Sequence, residues 1–183
     1  MKIAYITSNN FKFAEAQHVL AHWELCRHAL DLTEIQGSPE QIIEAKAREA
    51  SRQLHIPLIV EDVSFCCSAL HSLPGPYIKD FLAKISDAGV SELIHHYQDR
   101  SCEVICYAAY IEPSGQPKLF KGSIQGQVVA PRGFSEPSFT SWNAIFQPSG
   151  MHKTFAELTI QEQSRISMRY KALTQLRDYL EQN

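Results

Sequence analysis

Strand-like and helix-like segments alternate along the first third of the chain, and this alternation is typical of α/β folds. Ile3 to Thr7 has the composition of a short buried strand, and the stretch from about Phe11 to His22 carries apolar residues at helical spacing. A second strand is predicted to end near Leu32. Ser38-Pro39 then begins a helix that runs to about Leu54, with proline at its first position.

The rest of the chain adds strands and helices in a less regular order. The predicted elements are a strand at Pro57 to Val60 that ends at Glu61 and Asp62, helices at about Ile78 to Ile85 and Ala88 to Tyr97, strands at Cys102 to Glu112 and Leu119 to Val129, and a closing helix at about Ser167 to Glu181. The two long strands predict a β-hairpin. We therefore expect an α/β fold with a mixed central sheet and flanking helices, in a single domain over residues 1–183.

Composition argues against several classes of function. The formal net charge is −3 and Lys and Arg are scattered, so we expect no nucleic-acid polymer as a partner. The five cysteines are an odd number without C-x-x-C spacing, which argues against a disulfide framework and a zinc site. No apolar stretch approaches the ~20 residues of a membrane span, and residues 1–10 lack the pattern of a signal peptide. We expect a cytoplasmic protein with no membrane partner.

The first candidate site is the segment from Thr7 to Lys12, between a predicted strand and a predicted helix. Unpaired N–H groups and the positive dipole end at a helix N-terminus attract anions such as phosphates. Thr7 and Asn9 add side-chain donors, and Lys12 can reach back from the first turn. The segment lacks the glycines and the G-K-[ST] ending of a P-loop. An ordinary helix cap with a surface lysine is the alternative.

The second candidate is the acidic pair Glu61 and Asp62, which follows a predicted buried strand. Ligands of open α/β sheets gather at the carboxyl ends of strands, and adjacent acids there need a cation or hydrogen-bond donors to compensate them. Carboxylate oxygens suit Mg²⁺, and Glu34, in the loop after an earlier strand, is a third candidate ligand. The alternative is that Asp62 caps the next turn and Glu61 is solvated.

Three basic and two aromatic residues give weaker signals. Lys46, Lys79 and Arg169 are of interest only if they converge on one site, since each residue type is more often a solvated surface charge. Phe139 and Trp142 lie in a loop-rich segment, where they either stack on a base or close the core. The local sequence alone favours closure of the core.

Eight segments in collinear order match one known family. They are T-S-N-N-F-K at 7–12, D-L-T-E-I-Q-G at 31–37, E-D-V-S-F at 61–65, L-P-G-P-Y-I-K at 73–79, F-K-G-S-I-Q-G-Q-V-V-A-P-R-G at 120–133, F-Q-P-S-G at 146–150, T-F-A-E-L at 154–158 and S-M-R at 167–169. The chain resembles the inosine triphosphate pyrophosphatases over essentially its whole length, and the segment at 73–79 is similar to that of the eukaryotic branch.

The resemblance implies Mg²⁺-dependent hydrolysis of nucleoside triphosphates to a monophosphate and pyrophosphate. The residues it implies are Thr7, Asn9, Lys12, Lys46 and Lys79 for the triphosphate, Glu34, Glu61 and Asp62 for Mg²⁺, and Phe139, Trp142, Asn143, Ser167, Met168 and Arg169 for the rest of the substrate. Asp62, Glu61 and Lys12 are the candidate catalytic residues, with Asp62 orienting the water that attacks the α-phosphorus. A homodimer is also implied, with two lobes around a nucleotide-binding cleft in each subunit.

The departures from the family pattern are all on the base side. The family's F-G-W-D-P corresponds to residues 139–144, in which Asn143 replaces an aspartate. Its E-K-N-x-x-S-H-R corresponds to residues 162–169, in which Gln163 replaces a base-contacting lysine and Met168 replaces a histidine that reads the 6-oxo group. Since a lost hydrogen-bonding group weakens rejection of the wrong base, we expect altered or relaxed base specificity.

Two hypotheses of different classes remain. The first is an active Mg²⁺-dependent nucleoside triphosphate pyrophosphatase with changed base preference. The second is a catalytically idle nucleotide-binding or partner-binding protein on the same fold, since a fold does not fix a function. Retention of the carboxylates and lysines favours the enzyme, because such charges are costly to hold together without a metal and a substrate.

Overall fold

The computed structural model describes residues 2–133 and 141–182. The strands are β1 (Lys2–Ile6), β2 (Glu24–His28), β3 (Leu58–Cys67), β4 (Pro74–Gly75), β5 (Ser101–Ile111), β6 (Lys118–Val128) and β7 (Phe146–Pro148). The helices are α1 (Asn10–Val19), α2 (Pro39–Leu54), α3 (Ile78–His95), α4 (Ile160–Ile166) and α5 (Met168–Gln182). The predicted α/β fold is confirmed.

In the described residues, seven strands form one mixed sheet in the order β2-β1-β3-β5-β6-β7, with β4 paired to β3. Strand β1 is parallel to both β2 and β3, whereas the β3–β4 and β6–β7 pairs are antiparallel. Strand β3 is buried along almost its whole length, as expected of a central strand with covered faces. Side chains from the middle of β3 are therefore mostly shielded from water, and Asp62 is half-buried.

Local sequence determines where the first two helices begin. The side chain of Asn9 accepts hydrogen bonds from the N–H groups of Phe11 and Lys12 and so caps α1. Ser38 and Gln41 form a reciprocal capping box at the start of α2, and Pro39 is the first helical residue. The start and end predicted for α2 are both correct.

Two strand predictions are wrong at their ends. Strand β3 was predicted to end before Glu61 and Asp62, but it continues to Cys67, so both acids lie inside the strand. The continuation is possible because basic side chains compensate both charges. Strand β2 ends at His28 rather than near Leu32, and residues 29–37 form a loop. The helices predicted at about Ile78 to Ile85 and Ala88 to Tyr97 together form α3, with a non-helical break at Ser86 (φ 61°).

The chain divides into two compact units. The first contains residues 2–62, 106–122 and 168–182, and the second contains residues 63–105, 123–133 and 141–167. The single domain expected from the sequence remains a prediction. In the described part of the chain, no helix is both long and apolar enough to cross a membrane. All five cysteines are free thiols, and Cys67, Cys102 and Cys106 are buried.

Candidate active site

Glu61 is the centre of a buried ionic cluster in the first unit. Its side chain is 1% exposed, Lys12 Nζ lies 2.9 Å from Oε1, and Arg169 Nε lies 2.6 Å from Oε2. Strand β3 supplies the acid, the first turn of α1 supplies Lys12 and the start of α5 supplies Arg169. Three segments distant in sequence therefore hold one carboxylate between two cations.

Glu15 joins this cluster from the same face of α1 as Lys12. Its Oε2 lies 2.7 Å from Nη1 of Arg169, whose side chain is only 12% exposed. Lys12 and Glu15 are three residues apart, a spacing that puts their side chains side by side on a helix. Arg169 thus has a carboxylate partner at each end of its guanidinium group, and its orientation is fixed.

The cluster favours ionised Glu61. Burial alone would raise the pKa of Glu61, but Arg169 and Lys12 outweigh burial and lower it from 4.5 to about 2. Tyr5 on β1 and Cys106 on β5 lie nearby, and burial together with the negative charge of Glu61 raises the pKa of both groups well above its usual value. The Cys106 thiol donates to Glu61 Oε2 over 3.7 Å. At neutral pH, Tyr5 and Cys106 therefore remain neutral beside an ionised carboxylate.

A second ionic group lies one residue along β3, around Lys46 of α2. Lys46 Nζ is 3.0 Å from Oε1 of Glu34 and 2.9 Å from Oδ2 of Asp62. Burial acts to lower the pKa of Lys46, but Asp62 and Glu34 together raise it, so the ammonium stays charged. The side chain of Lys46 is 11% exposed, against 27% for Asp62 and 56% for Glu34. Two carboxylates thus converge on one cation at a solvent-accessible position.

The turn before α1 has the features of an anion site. Thr7 Oγ accepts from the N–H of Asn9, and Asn9 Oδ1 accepts from Phe11 and Lys12. These bonds fix the turn and leave the amide group of Asn9 as a donor. The first turn of α1 contains no acidic residue, so no side chain there neutralises the positive end of the helix dipole. The segment can therefore cap α1 and also bind an anion.

The structure brings together in the first unit only some of the residues predicted for the site. Thr7, Asn9, Lys12, Glu34, Lys46, Glu61, Asp62, Met168 and Arg169 belong to the first unit, whereas Lys79, Trp142, Asn143 and Ser167 belong to the second, and Phe139 lies outside the described residues. Lys79 is exposed near the start of α3, and Ser167 is buried after α4. Among residues 2–133 and 141–182, no three His, Cys, Asp or Glu side chains form a metal-binding group.

The base-side residues have local structural contacts. Trp142 packs against Phe146 and Phe155, with ring centroids 5.9 and 5.5 Å away. The side-chain amide of Gln163 donates to the carbonyl oxygens of Phe155 and Leu158, at 2.8 and 3.3 Å. Met168 is 1% exposed. Trp142 therefore helps to close a core, and Gln163 caps a neighbouring turn.

Sequence reasoning missed Glu15, Tyr5 and Cys106 as neighbours of the site. Glu15 could have been found from its i+3 spacing to Lys12, a pattern typical of side chains on one helix face. Tyr5 and Cys106 carry no such signal, since each lies in an apolar run that reads as core. Their contact with Glu61 depends on the strand order β1-β3-β5.

Comparison with known proteins assigns the chain to a family. The model of the Ham1 family matches residues 3–179, and the chain belongs to that family. A protein of Aspergillus fumigatus named inosine triphosphate pyrophosphatase is 39% identical, and the match covers 99% of this chain and 95% of the relative. A protein of the same name from Yarrowia lipolytica is also 39% identical, with coverage of 98% and 96%.

A solved structure agrees with the fold. The structure of a HAM1 protein from Coxiella burnetii superposes with a TM-score of 0.86 at 27% identity, over the whole of both chains. The mixed sheet and its flanking helices are therefore the family's fold.

Proposed function

We propose that this chain hydrolyses nucleoside triphosphates between the α- and β-phosphates and releases a nucleoside monophosphate and pyrophosphate. The observation that carries the proposal is Lys46 Nζ within 3.0 Å of both Glu34 and Asp62. Lysines and paired carboxylates are the groups that phosphoryl chemistry needs, since such reactions depend on charge neutralisation and positioning. The relatives from Aspergillus and Yarrowia, which are named inosine triphosphate pyrophosphatases, support the same activity.

The donor chemistry around Lys46 fits a divalent cation, which we propose to be Mg²⁺. Glu34 and Asp62 offer hard oxygen ligands that already converge on one positive group, and Mg²⁺ takes one or two carboxylates together with substrate phosphates. When bound, the cation neutralises phosphate charge and orients the phosphates. Glu61 fits this role poorly, because Lys12 and Arg169 already occupy its two oxygens.

Asp62 is the group proposed to orient the attacking water. Its carboxylate is less buried than that of Glu61, whose two oxygens are each held by a cation. It accepts the proton as the water oxygen bonds to the α-phosphorus and the bond to the α–β bridging oxygen breaks. Pyrophosphate leaves with the electron pair of that bond, and Lys12, Lys46 and the start of α1 hold its charge.

Glu61 is proposed to act as the counterion that fixes Lys12 and Arg169. A buried carboxylate with a pKa of about 2 is a poor proton acceptor at neutral pH. It is well suited to hold two basic side chains in one orientation. The catalytic role predicted for Glu61 is thus replaced in this proposal by a positioning role.

The base preference is proposed to differ from strict 6-oxopurine selection. Gln163 uses its amide donors on two backbone carbonyls, and Met168 has a buried apolar side chain. Neither side chain supplies the donor that its family counterpart is expected to supply. A base site rejects a wrong base mainly because its own polar groups would then lack hydrogen-bond partners. A site with fewer such groups therefore rejects other bases less strongly.

The proposal is tested by measuring pyrophosphate release with Mg²⁺ from ITP, XTP, dITP and the four standard nucleoside triphosphates. Wild-type protein should release pyrophosphate from several of them, and Asp62→Asn should reduce the rate at least about 100-fold. Asp99→Asn, at an exposed carboxylate in the second unit, is the control. Release without Mg²⁺, or full activity of Asp62→Asn, would refute the proposal. Nucleotide binding without release would instead favour a catalytically idle binding protein.

We also propose a cytoplasmic homodimer. The dimer follows from the resemblance to the pyrophosphatase family, and five free cysteines suit a reducing compartment. Sedimentation equilibrium of the purified chain should give twice the mass of 20.7 kDa. A single species at the monomer mass would contradict the dimer.

A further inference from the structure

The loop that carries Glu34 joins β2 to α2 and has no regular secondary structure. It comprises residues 29–37, and the side chain of Glu34 is 56% exposed. An exposed glutamate on such a loop loses backbone and side-chain freedom when it binds a cation. Contacts that fix the loop in advance reduce this entropic cost and strengthen binding.

Glu49 of α2 makes such a contact with the residue next to Glu34. The backbone N–H of Thr33 donates to Oε2 of Glu49 over 3.0 Å, and the Thr33 hydroxyl donates to Oε1 over 3.4 Å. One carboxylate therefore accepts from two groups of a single residue. Hydrogen bonds to an ionised acceptor are stronger than neutral ones, so this pair is a specific anchor for the loop.

The other end of the loop is held by the same helix. The N–H of Ser38 donates to Oε1 of Gln41 over 2.9 Å. A methyl group at Gly37 would lie 2.8 Å from that oxygen, so the backbone at Gly37 passes close to Gln41. Glu34 lies between these two anchors, and α2 provides both.

Helix α2 also carries Lys46, one turn before Glu49. Lys46 pairs with Glu34 directly, whereas Glu49 holds the backbone immediately before Glu34. In the proposed function Lys46 also binds the phosphates. Its ammonium group then interacts with both Glu34 and the substrate. The contact between Thr33 and Glu49 involves no substrate-binding group, so it is retained when the substrate binds.

We propose that Glu49 is a positioning residue that sets the affinity of the site for its divalent cation by holding Thr33 and thereby Glu34. This inference rests on the proposed function, because it takes Glu34 as a ligand of the cation. Glu49 acts through the loop, since its carboxylate oxygens are engaged by the two Thr33 donors. Removing a partner that orients a metal ligand commonly reduces metal affinity 10–100-fold.

The test is Mn²⁺ binding, followed by the electron paramagnetic resonance signal of free Mn²⁺ in the presence of the non-hydrolysable α,β-methylene analogue of ITP, with the Mn²⁺ held by the analogue alone measured without protein and subtracted. Glu49→Ala should raise the Kd for Mn²⁺ about tenfold, and Thr33→Val, which keeps the N–H and removes the hydroxyl, should raise it less. Glu44→Ala removes a carboxylate from the same helix and is the matched control, with an unchanged Kd. Equal Kd values for Glu49→Ala and Glu44→Ala would overturn the inference, as would wild-type protein that binds no Mn²⁺.

A second readout separates positioning from a general loss of structure. In Glu49→Ala the Mg²⁺ concentration for half-maximal rate should rise about tenfold, while kcat at saturating Mg²⁺ and the urea midpoint remain close to those of Glu44→Ala. Glu49→Gln keeps one acceptor and should fall between wild type and Glu49→Ala. A fall in kcat with no change in Mg²⁺ dependence would overturn the inference. If wild-type protein released no pyrophosphate but the Mn²⁺ affinities differed as expected, the proposed function would fail and the positioning role would stand.

Discussion

Arg169 Nε lies 2.6 Å from Oε2 of Glu61, although 108 residues separate the two along the chain. The pair joins the start of α5 to the middle of β3, and both side chains are almost completely buried. Burying two charges costs free energy unless each is well paired. Lys12 and Glu15 supply the additional partners that complete this pairing.

The first prediction is that Glu61→Gln destabilises the protein by about 4 kcal/mol at pH 7, because Lys12 and Arg169 lose the buried charge that compensates them. Urea unfolding of the variant and wild type measures the difference. Glu103→Gln, at a half-buried carboxylate on β5, is the control and should cost less than about 1 kcal/mol. A similar small loss for Glu61→Gln would show that the ionic cluster contributes little to stability.

The second prediction concerns pH and follows from the lowered pKa of Glu61. Its pKa is about 2 in the folded protein and 4.5 as its ordinary value. Its stabilising contribution is therefore complete above pH 4.5 and is lost as the pH falls toward 2, by on the order of 3 kcal/mol. The stability difference between wild type and Glu61→Gln should shrink over that interval in urea titrations. A difference that stays constant from pH 5 to pH 3 would contradict the low pKa.

The third prediction concerns Gly122 on β6, where α5 approaches the strand closely. A Cβ atom at this position would overlap the carbonyl oxygen of Met168 and lie 2.6 Å from the amide nitrogen of Ala172. Gly122→Ala should therefore displace the start of α5, which carries Arg169, and cost about 3 kcal/mol. Gly115→Ala, in the turn between β5 and β6, is the control and should cost less than about 1 kcal/mol. Equal thermal midpoints for the two variants would exclude the steric argument.

The fourth prediction separates structure from specificity at Gln163. Gln163→Met removes the donors to the Phe155 and Leu158 carbonyls and should cost about 1 kcal/mol. The ratio of the ITP and ATP rates should change less than about twofold, because in this account the side chain does not contact the base. Gln161→Met, at an exposed position on the same helix, controls for the methionine itself. A large shift in the ratio would mean that Gln163 reads the base.

The sequence correctly predicted those elements that are marked by signals within a few neighbouring residues. The helix α2 has a serine cap, a proline at its first position and a consistent apolar face, and both its ends were predicted correctly. The end of β3 was mispredicted because adjacent acids are typical of a strand end. The charges that keep Glu61 inside the strand come from Lys12 and Arg169, which no local pattern connects to it.

The site was predictable to the extent that its residues lie in recognisable segments. Lys46, Glu34 and Asp62 were chosen from such segments, and their convergence appears only in three dimensions. The spacing of Glu15 from Lys12 places both on one face of α1, but neither the Arg169 partner of Glu15 nor the role of Glu49 was predictable in this way. Each acts through a contact with another charged or polar residue, and such contacts depend on the relative placement of loop, helix and strand.

The most direct measurement for the central claim is ³¹P NMR of the products formed from ITP and Mg²⁺ by the wild-type protein. Cleavage between the α- and β-phosphates predicts IMP and pyrophosphate in equal amounts, with no signal from IDP. Signals from IDP and orthophosphate would place the cleavage at the γ-phosphate and contradict the account. The account would also be contradicted if the ITP spectrum did not change and the other six triphosphates tested for pyrophosphate release also remained intact.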